Sequence, residues 1–384
     1  MQLTRREFLE QAGIGTLTVV GFSLLKLPGF QRAAKGAQAQ KVAEIPVIWL
    51  ATGSCSGCSV SLLNSASPTI QQALLDQVLP GKHLALEFHS TIMAAQGELA
   101  IEHMEKVRQE HKGGYVLVVE GATASKDDGL YCNVGEGPQG AVLGYPAVRD
   151  LGRDAAVVLA VGSCASFGGI PAAPGNTTGA LPVRELFKRE KVTTPLANIP
   201  GCPPHPDWIV GSIAAYLLGG VAALKLDELG RPGLFFSGLI HDNCPYRGHF
   251  DRGEFAEHYG EHGCLVKLGC KGPITKADCP IRKFNNGTSW CVEAGHPCIG
   301  CCHEDFPFES SMFTPVEPAK MGFPGYYPPP VKGSAQAGKG TYAAIGLIGV
   351  GGFLAGVGVT AAGRRLQAQH EEEERHGSTL GGEE

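Results

Sequence analysis

The residues of this chain with chemistry in their spacing are its 13 cysteines. Cys55-Ser56-Gly57-Cys58 is a C-x-x-C pair, and two thiolates that close can share one cluster or metal. Gly57 leaves room for backbone amides to approach the sulfurs. Cys164 and Cys202 each follow a later apolar run and are candidates to complete the set. A thioredoxin-like redox pair is the alternative for the C-x-x-C element alone. A second group is His241, Cys244, Cys264 and Cys270, in which one His and three Cys suit zinc or an iron–sulfur cluster equally well. The third is Cys279, Cys291, Cys298 and Cys301, for which zinc is again the alternative. Cys132 and Cys302 are left over and read as small buried hydrophobes or spare thiols. An odd total excludes a framework of internal disulfides alone.

The elements that must position these thiols come from the apolar runs. Pro46–Ala51, His83–His89, Tyr115–Val119, Ala155–Val161 and Leu196–Ile199 read as five buried strands. Ile70–Val78, Glu98–His111, Pro182–Arg189 and Asp207–Leu218 have helical spacing between or after them. Strands alternating with helices predict a parallel sheet covered on both faces, an α/β fold. Cys55 then follows the first strand, Cys164 the fourth and Cys202 the fifth. Ligands of open parallel sheets sit beyond the carboxyl ends of the strands. Three strand ends delivering Cys to one edge is a pattern that core-filling cysteines do not readily produce.

From Asp227 to Pro330 the alternation stops, in a stretch crowded with Cys, Gly, Pro and His. About 100 residues without regular elements need something other than a core to hold them, and metal clusters can supply it. Gly135-Glu136-Gly137-Pro138-Gln139-Gly140 fits G-x-G-x-x-G but shows no strand directly before it and no helix pattern after it, so it is set aside. The chain has no G-x-x-x-x-G-K-[ST] and no G-x-S-x-G. Glu120, just after a strand end, is a candidate for lining an interface.

The ends carry addresses. Thr4-Arg5-Arg6-Glu7-Phe8-Leu9 before a weakly apolar run predicts a twin-arginine export signal over residues 1–40, with Ala37-Gln38-Ala39 as a cleavage candidate. That route is understood to carry proteins already folded, so cofactors can be inserted in the reducing cytoplasm before export. Residues 341–362 run 22 positions without a charge, long enough to cross a bilayer, with Gly352 and Gly356 in a G-x-x-x-G pair. Arg364 and Arg365 after the span favour a cytoplasmic C-terminus. With a net charge of −5 and 18% charged residues, the chain is neither a nucleic-acid binder nor disordered.

Taken together, the segments SCSGCSVSLLN (54–64), VGSCASFGGI (161–170), PGCPPHPD (200–207), HDNCPYRGHF (241–250), LGCKGP (268–273), DCPIRKFNNGTSWC (278–291) and AGHPCIGC (294–301) resemble the small subunit of nickel–iron hydrogenases. The resemblance covers roughly residues 45 to 320. It implies a flavodoxin-like domain over 45–226 and an irregular iron–sulfur domain over 227–325; composition and charge beyond it read as a linker over 326–340, one transmembrane helix over 341–363 and an acidic cytoplasmic tail over 364–384.

By the same resemblance, Cys55, Cys58, Cys164 and Cys202 hold a proximal [4Fe-4S] cluster. His241, Cys244, Cys264 and Cys270 hold a distal [4Fe-4S] cluster, and Cys279, Cys298 and Cys301 hold a medial one. Many relatives have a medial [3Fe-4S] cluster and a proline at the place of Cys291. A thiol there predicts a medial [4Fe-4S] cluster with Cys291 as fourth ligand. Oxygen-tolerant relatives add two cysteines where this chain has Gly57 and Gly169, so an ordinary proximal cluster is expected. No catalytic residue is expected in this chain. The implied function is electron relay from H2 oxidation at a Ni–Fe centre in a partner large subunit to a membrane cytochrome b or equivalent and the quinone pool. The implied site is the periplasmic face of the inner membrane. An iron–sulfur subunit of another quinone-linked oxidoreductase and a zinc-stapled structural protein are the alternatives.

Overall fold

The five apolar runs form one sheet. The computed structural model describes residues 43–75, 77–79, 82–309, 312–314 and 326–327, all within one compact unit. The expected export signal, nearly all of the linker, the apolar span and the tail lie outside them. In chain order the elements are β1 (Ala43–Ala51), α1 (Gly57–Leu63), α2 (Ile70–Leu75), β2 (Gln77–Leu79), β3 (Lys82–His89), α3 (Glu98–Glu110), β4 (Val116–Glu120) and β5 (Thr123–Ala124). The hairpin β6 (Asn133–Gly137) and β7 (Gly140–Leu143) leads into α4 (Gly144–Asp154). Then come β8 (Val157–Val161), α5 (Ser163–Phe167), β9 (Ala180–Leu181), α6 (Val183–Glu190), β10 (Leu196–Ile199) and α7 (Pro206–Leu224).

The main sheet runs β10-β8-β4-β1-β3-β2. All its pairs are parallel except the edge strand β2, which is antiparallel to β3. Counting only the parallel strands, the order is 2-1-3-4-5, that of flavodoxin-like sheets. Because side chains alternate along a strand, each run splits between two cores. Val47, Trp49, Val118, Leu159 and Ile199 face one core with Trp208, Ile209 and Ile213 of α7, and Cys244, Cys270, Cys279 and Cys298 are buried in the same cluster. Ile48, Leu50, Leu117, Val119 and Val158 face the other, under Met104 of α3, Leu151 of α4 and Leu186 of α6. The C-terminal half therefore packs on the α7 side of the sheet.

Among the described residues α7 is the helix long and apolar enough to cross a membrane, with mean hydropathy 1.6. Its Trp208, Ile209, Ile213 and Leu217 are buried in the core, which accounts for that composition without a bilayer. Beyond residue 225 no described helix exceeds five residues.

Two expectations are corrected. The helix expected over Ile70–Val78 stops at Leu75, and Gln77–Leu79 pairs with β3 as the sheet edge. A window that short cannot separate helix from edge strand by periodicity. The G-x-G-x-x-G stretch spans the β6–β7 turn, and a helix does follow it, at Gly144; its glycines serve a hairpin and not a nucleotide loop.

Candidate iron–sulfur sites

At the carboxyl edge of the sheet the loops after β1 and β4 diverge, the switch point where such folds bind ligands. They touch first, through the bridge Gly53–Ala122, and a Cβ on Gly121 would lie 2.7 Å from the Gly53 carbonyl carbon. The β1 loop then delivers Cys55 and, at the start of α1, Cys58. Cys164 sits on α5 after β8, and Cys202 follows β10. The four thiols are close enough to act on one another. Burial pushes the Cys58 thiol far above its ordinary range, and Glu120, Cys164, Cys55 and Cys202 all push it the same way. Cys202 is pushed up to about 12 by burial, then by Cys164, Cys301 and Cys55. Gly162 completes the cradle: a Cβ there would lie 2.5 Å from the Cys58 sulfur, and its φ of +89° suits glycine. Gly57 and Gly169 also border the group, since Cβ atoms on them would lie 3.2 Å from the Cys55 sulfur and 3.1 Å from the Cys164 sulfur.

Glu120 is not an interface residue. It is 1% exposed and lies under Cys58. Its carboxylate accepts from Trp49 Nε1–H at 2.9 Å, from the Cys58 N–H at 3.1 Å and from the Ser59 hydroxyl. Ser59 Oγ also lies 3.1 Å from Nε2 of His89, whose Nδ1 accepts from the Thr91 N–H. That acceptor fixes the tautomer: Nε2 carries the proton and donates to Ser59. Burial holds His89 below the ordinary histidine value. Sequence reading missed this network because a carboxylate in a run of valines signals its burial only through the sheet register.

In the second group His241 is 1% exposed, and its Nε2 has no hydrogen-bond partner. Phe250 and Tyr327 pack on the ring at 4.7 and 5.5 Å. Burial lowers its pKa to about 4, with Arg247 adding to the effect, so the ring is neutral at pH 7. An orphaned, neutral, buried imidazole nitrogen is what a metal ligand requires. Cys244 and Cys264 are pushed up to about 11 and about 12 by burial, Cys270 adding to both. Gly272 lets Cys270 and His241 approach: its missing Cβ would lie 3.5 Å from the Cys270 sulfur and 3.9 Å from the His241 Cβ.

The third group lies between these two. Burial drives Cys279 and Cys298 well above the thiol range, with Cys301 a further cause for both. Cys291 is exposed, unlike the rest of its group, yet close enough for Cys301 to raise its pKa after burial. Cys302 lies 3.9 Å from Cys301 and donates to the Pro200 carbonyl at 3.6 Å. Cys132 is apart from all three groups, packed under Gly144.

Two seams join the groups. Ser163, beside Cys164, donates to the Cys301 carbonyl and accepts from the Gly201 N–H at 2.9 Å, so one hydroxyl ties three cysteine-bearing loops. The thiol of Cys302 holds the Cys301 thiol below its ordinary value. On the other side the Cys298 N–H donates to the Cys270 sulfur at 3.3 Å. Among the described residues no three His, Cys, Asp or Glu side chains converge on one point as a single ion requires. Tetrahedral zinc needs its donors within about 2.3 Å of one centre. A polynuclear cluster takes more widely spaced thiolates, and its iron offsets the charge that these crowded thiols resist carrying alone.

Two family models divide the chain at the same place as its chemistry. Residues 55–216 match the NADH ubiquinone oxidoreductase 20 Kd subunit, and residues 236–314 match the C-terminal part of the NiFe/NiFeSe hydrogenase small subunit. The periplasmic [NiFeSe] hydrogenase small subunit of Desulfomicrobium baculatum is 44% identical over 328 residues, covering 83% of this chain and 100% of that one. The chain belongs to the NiFe/NiFeSe hydrogenase small-subunit family. The quinone-reactive Ni/Fe-hydrogenase small chain of Wolinella succinogenes is 38% identical over 320 residues, 81% of this small subunit and 84% of that chain. The solved structure of the H2-activated Dm. baculatum [NiFeSe]-hydrogenase superposes with TM-score 0.67 at 45% identity, covering 71% of this chain and 100% of that chain. This small subunit is thus the electron-transfer partner of a large subunit that carries the hydrogenase active site. Its family implies iron–sulfur clusters, and the three donor sets fit them.

Proposed function

We propose that this protein conducts electrons from H2 oxidation through three clusters in line. Cys55, Cys58, Cys164 and Cys202 would hold a proximal [4Fe-4S] cluster. Cys279, Cys298, Cys301 and Cys291 would hold a medial [4Fe-4S] cluster, with [3Fe-4S] as the form without Cys291. His241, Cys244, Cys264 and Cys270 would hold a distal [4Fe-4S] cluster. Such clusters supply one-electron relay at potentials set by ligands, charge and hydrogen bonds. The protein's part is to space the sites and exclude water. The observation that carries this reading is the order proximal, medial, distal, with the Ser163 hydroxyl bonded to the Gly201 N–H and the Cys301 carbonyl across one gap and the Cys298 N–H bonded to the Cys270 sulfur across the other.

Exposed Cys55 and Cys202 put the proximal edge at the surface, which suits docking of the Ni–Fe large subunit there. A His ligand in place of thiolate removes one negative charge and raises a cluster's potential, which suits the exit end. The quinone-reactive relative and the apolar run at 341–362 support delivery to a cytochrome b or similar quinone-reducing membrane protein, on the periplasmic face of the membrane. Export by the twin-arginine route and a single C-terminal anchor complete the proposal, over the domain limits 45–226 and 227–325 expected from sequence.

His241→Ala tests it. In membranes containing both subunits the variant is expected to lose about four iron atoms and its H2-driven quinone reduction, while keeping proximal and medial EPR signals. Full iron content with unchanged quinone reduction would remove His241 from the wire.

A further inference from the structure

Lys271 is only 3% exposed, and lysine is rarely buried that far without an ionic partner. Its Nζ donates to the carbonyls of Gly269 at 3.1 Å and Met312 at 2.9 Å, and lies 4.9 Å from the centre of the Phe308 ring. No ion pair to a carboxylate is formed by Lys271 among the described residues. A buried ammonium held only by dipoles needs a nearby anion to offset its lost hydration. The groups placed to provide one are the sulfurs of Cys270, the preceding residue, and of Cys298, whose carbonyl accepts the Lys271 N–H.

The backbone fixes it there. The Lys271 N–H donates to the Cys298 carbonyl at 2.7 Å, next to the bond from the Cys298 N–H to the Cys270 sulfur. Lys271 therefore stands on the seam between the distal and medial groups, and among the described residues no hydrogen bond joins it to the proximal group.

Resting on the ligand assignment above, we propose that Lys271 is a positioning residue whose fixed positive charge holds the medial and distal clusters at higher reduction potentials than their thiolates alone would give. Each cluster gains negative charge when it takes an electron, and the ammonium favours that reduced state. The charge also acts as the counter-ion of the loaded clusters. Electrons are thereby drawn from the proximal cluster towards the exit. At an effective dielectric of about 20, a unit charge within about 10 Å changes a one-electron equilibrium constant about tenfold or more, which is about 59 mV.

The test is EPR-monitored redox titration of the purified two-subunit enzyme, with iron counted in each sample. Lys271→Gln keeps donors for the two carbonyls, Lys271→Met keeps the volume, and Lys271→Arg keeps the charge. Both neutral variants are expected to lower the medial and distal potentials by about the tenfold equivalent, with the proximal potential unmoved and the Arg variant close to wild type. If neither neutral variant retains iron while Lys271→Arg does, the counter-ion role is upheld. Loaded neutral variants with unshifted potentials would overturn the inference, as would iron loss in all three. A wild-type enzyme without iron would instead overturn the ligand assignment.

Discussion

Removing one hydroxyl at Ser163 should loosen the seam between the proximal and medial groups. Ser163 is 1% exposed, and its Oγ is hydrogen-bonded to both the Gly201 N–H and the Cys301 carbonyl. Ser163→Ala leaves one donor and one acceptor without that partner. Each stranded group costs about 1–3 kcal/mol, so the pair costs about 2–6 kcal/mol. At about 2–4 °C per kcal/mol for a domain of this size, the lower end alone lowers Tm by about 4–8 °C. Ser212→Ala is the control. Ser212 Oγ donates to the Trp208 carbonyl one turn back in α7, and that carbonyl keeps its place in the helix ladder, so nothing is stranded. Thermal unfolding of the two-subunit enzyme, followed by near-ultraviolet circular dichroism and by loss of visible absorbance, reads both. Equal melting temperatures for Ser163→Ala and Ser212→Ala would refute the seam.

Two further predictions concern acid and the medial ligand. His205 caps α7 by accepting the Asp207 N–H at Nδ1, and its Nε2 lies 2.8 Å from the Lys283 carbonyl, so the neutral ring is built in. Burial holds its pKa below the unfolded value of 6.5; the stability it contributes is complete above that value and lost as pH falls below it. Melting temperatures measured from about pH 7 to about pH 5 should fall for wild type and fall less for His205→Asn, which still caps the helix but does not titrate; parallel curves would show that another group governs the acid limb. For Cys291→Ser, iron analysis should find about one atom fewer per chain and EPR should show an oxidised [3Fe-4S] cluster. An unchanged spectrum would mean that Cys291 packs beside the medial cluster without binding it.

Much of this architecture is legible in the residues. Val116–Val119 and Val157–Val161 are buried on both faces, so they read as continuous apolar runs, and the cysteines after β1, β8 and β10 fall at one sheet edge because parallel strands end together. The short elements are not legible. The single turn of α5 is set by Gly162 and Gly168 at positive φ on either side of Cys164, a tertiary constraint with no periodic signature. Lys271 escaped and Glu120 was given another role for the same reason: what they do comes from burial beside the cysteine loops, and a charged residue carries no sign of burial in its own neighbourhood. His241 is legible as a candidate because its spacing to Cys244 is local.

The three-cluster wire is tested most directly by iron and acid-labile sulfide counts with EPR of the anaerobic two-subunit enzyme, as isolated and reduced. About 12 iron atoms in the small subunit and no oxidised [3Fe-4S] signal are expected for the wild type. A [3Fe-4S] signal would leave the wire standing and remove Cys291 from it. Zinc in place of iron at these thiols would contradict the wire itself.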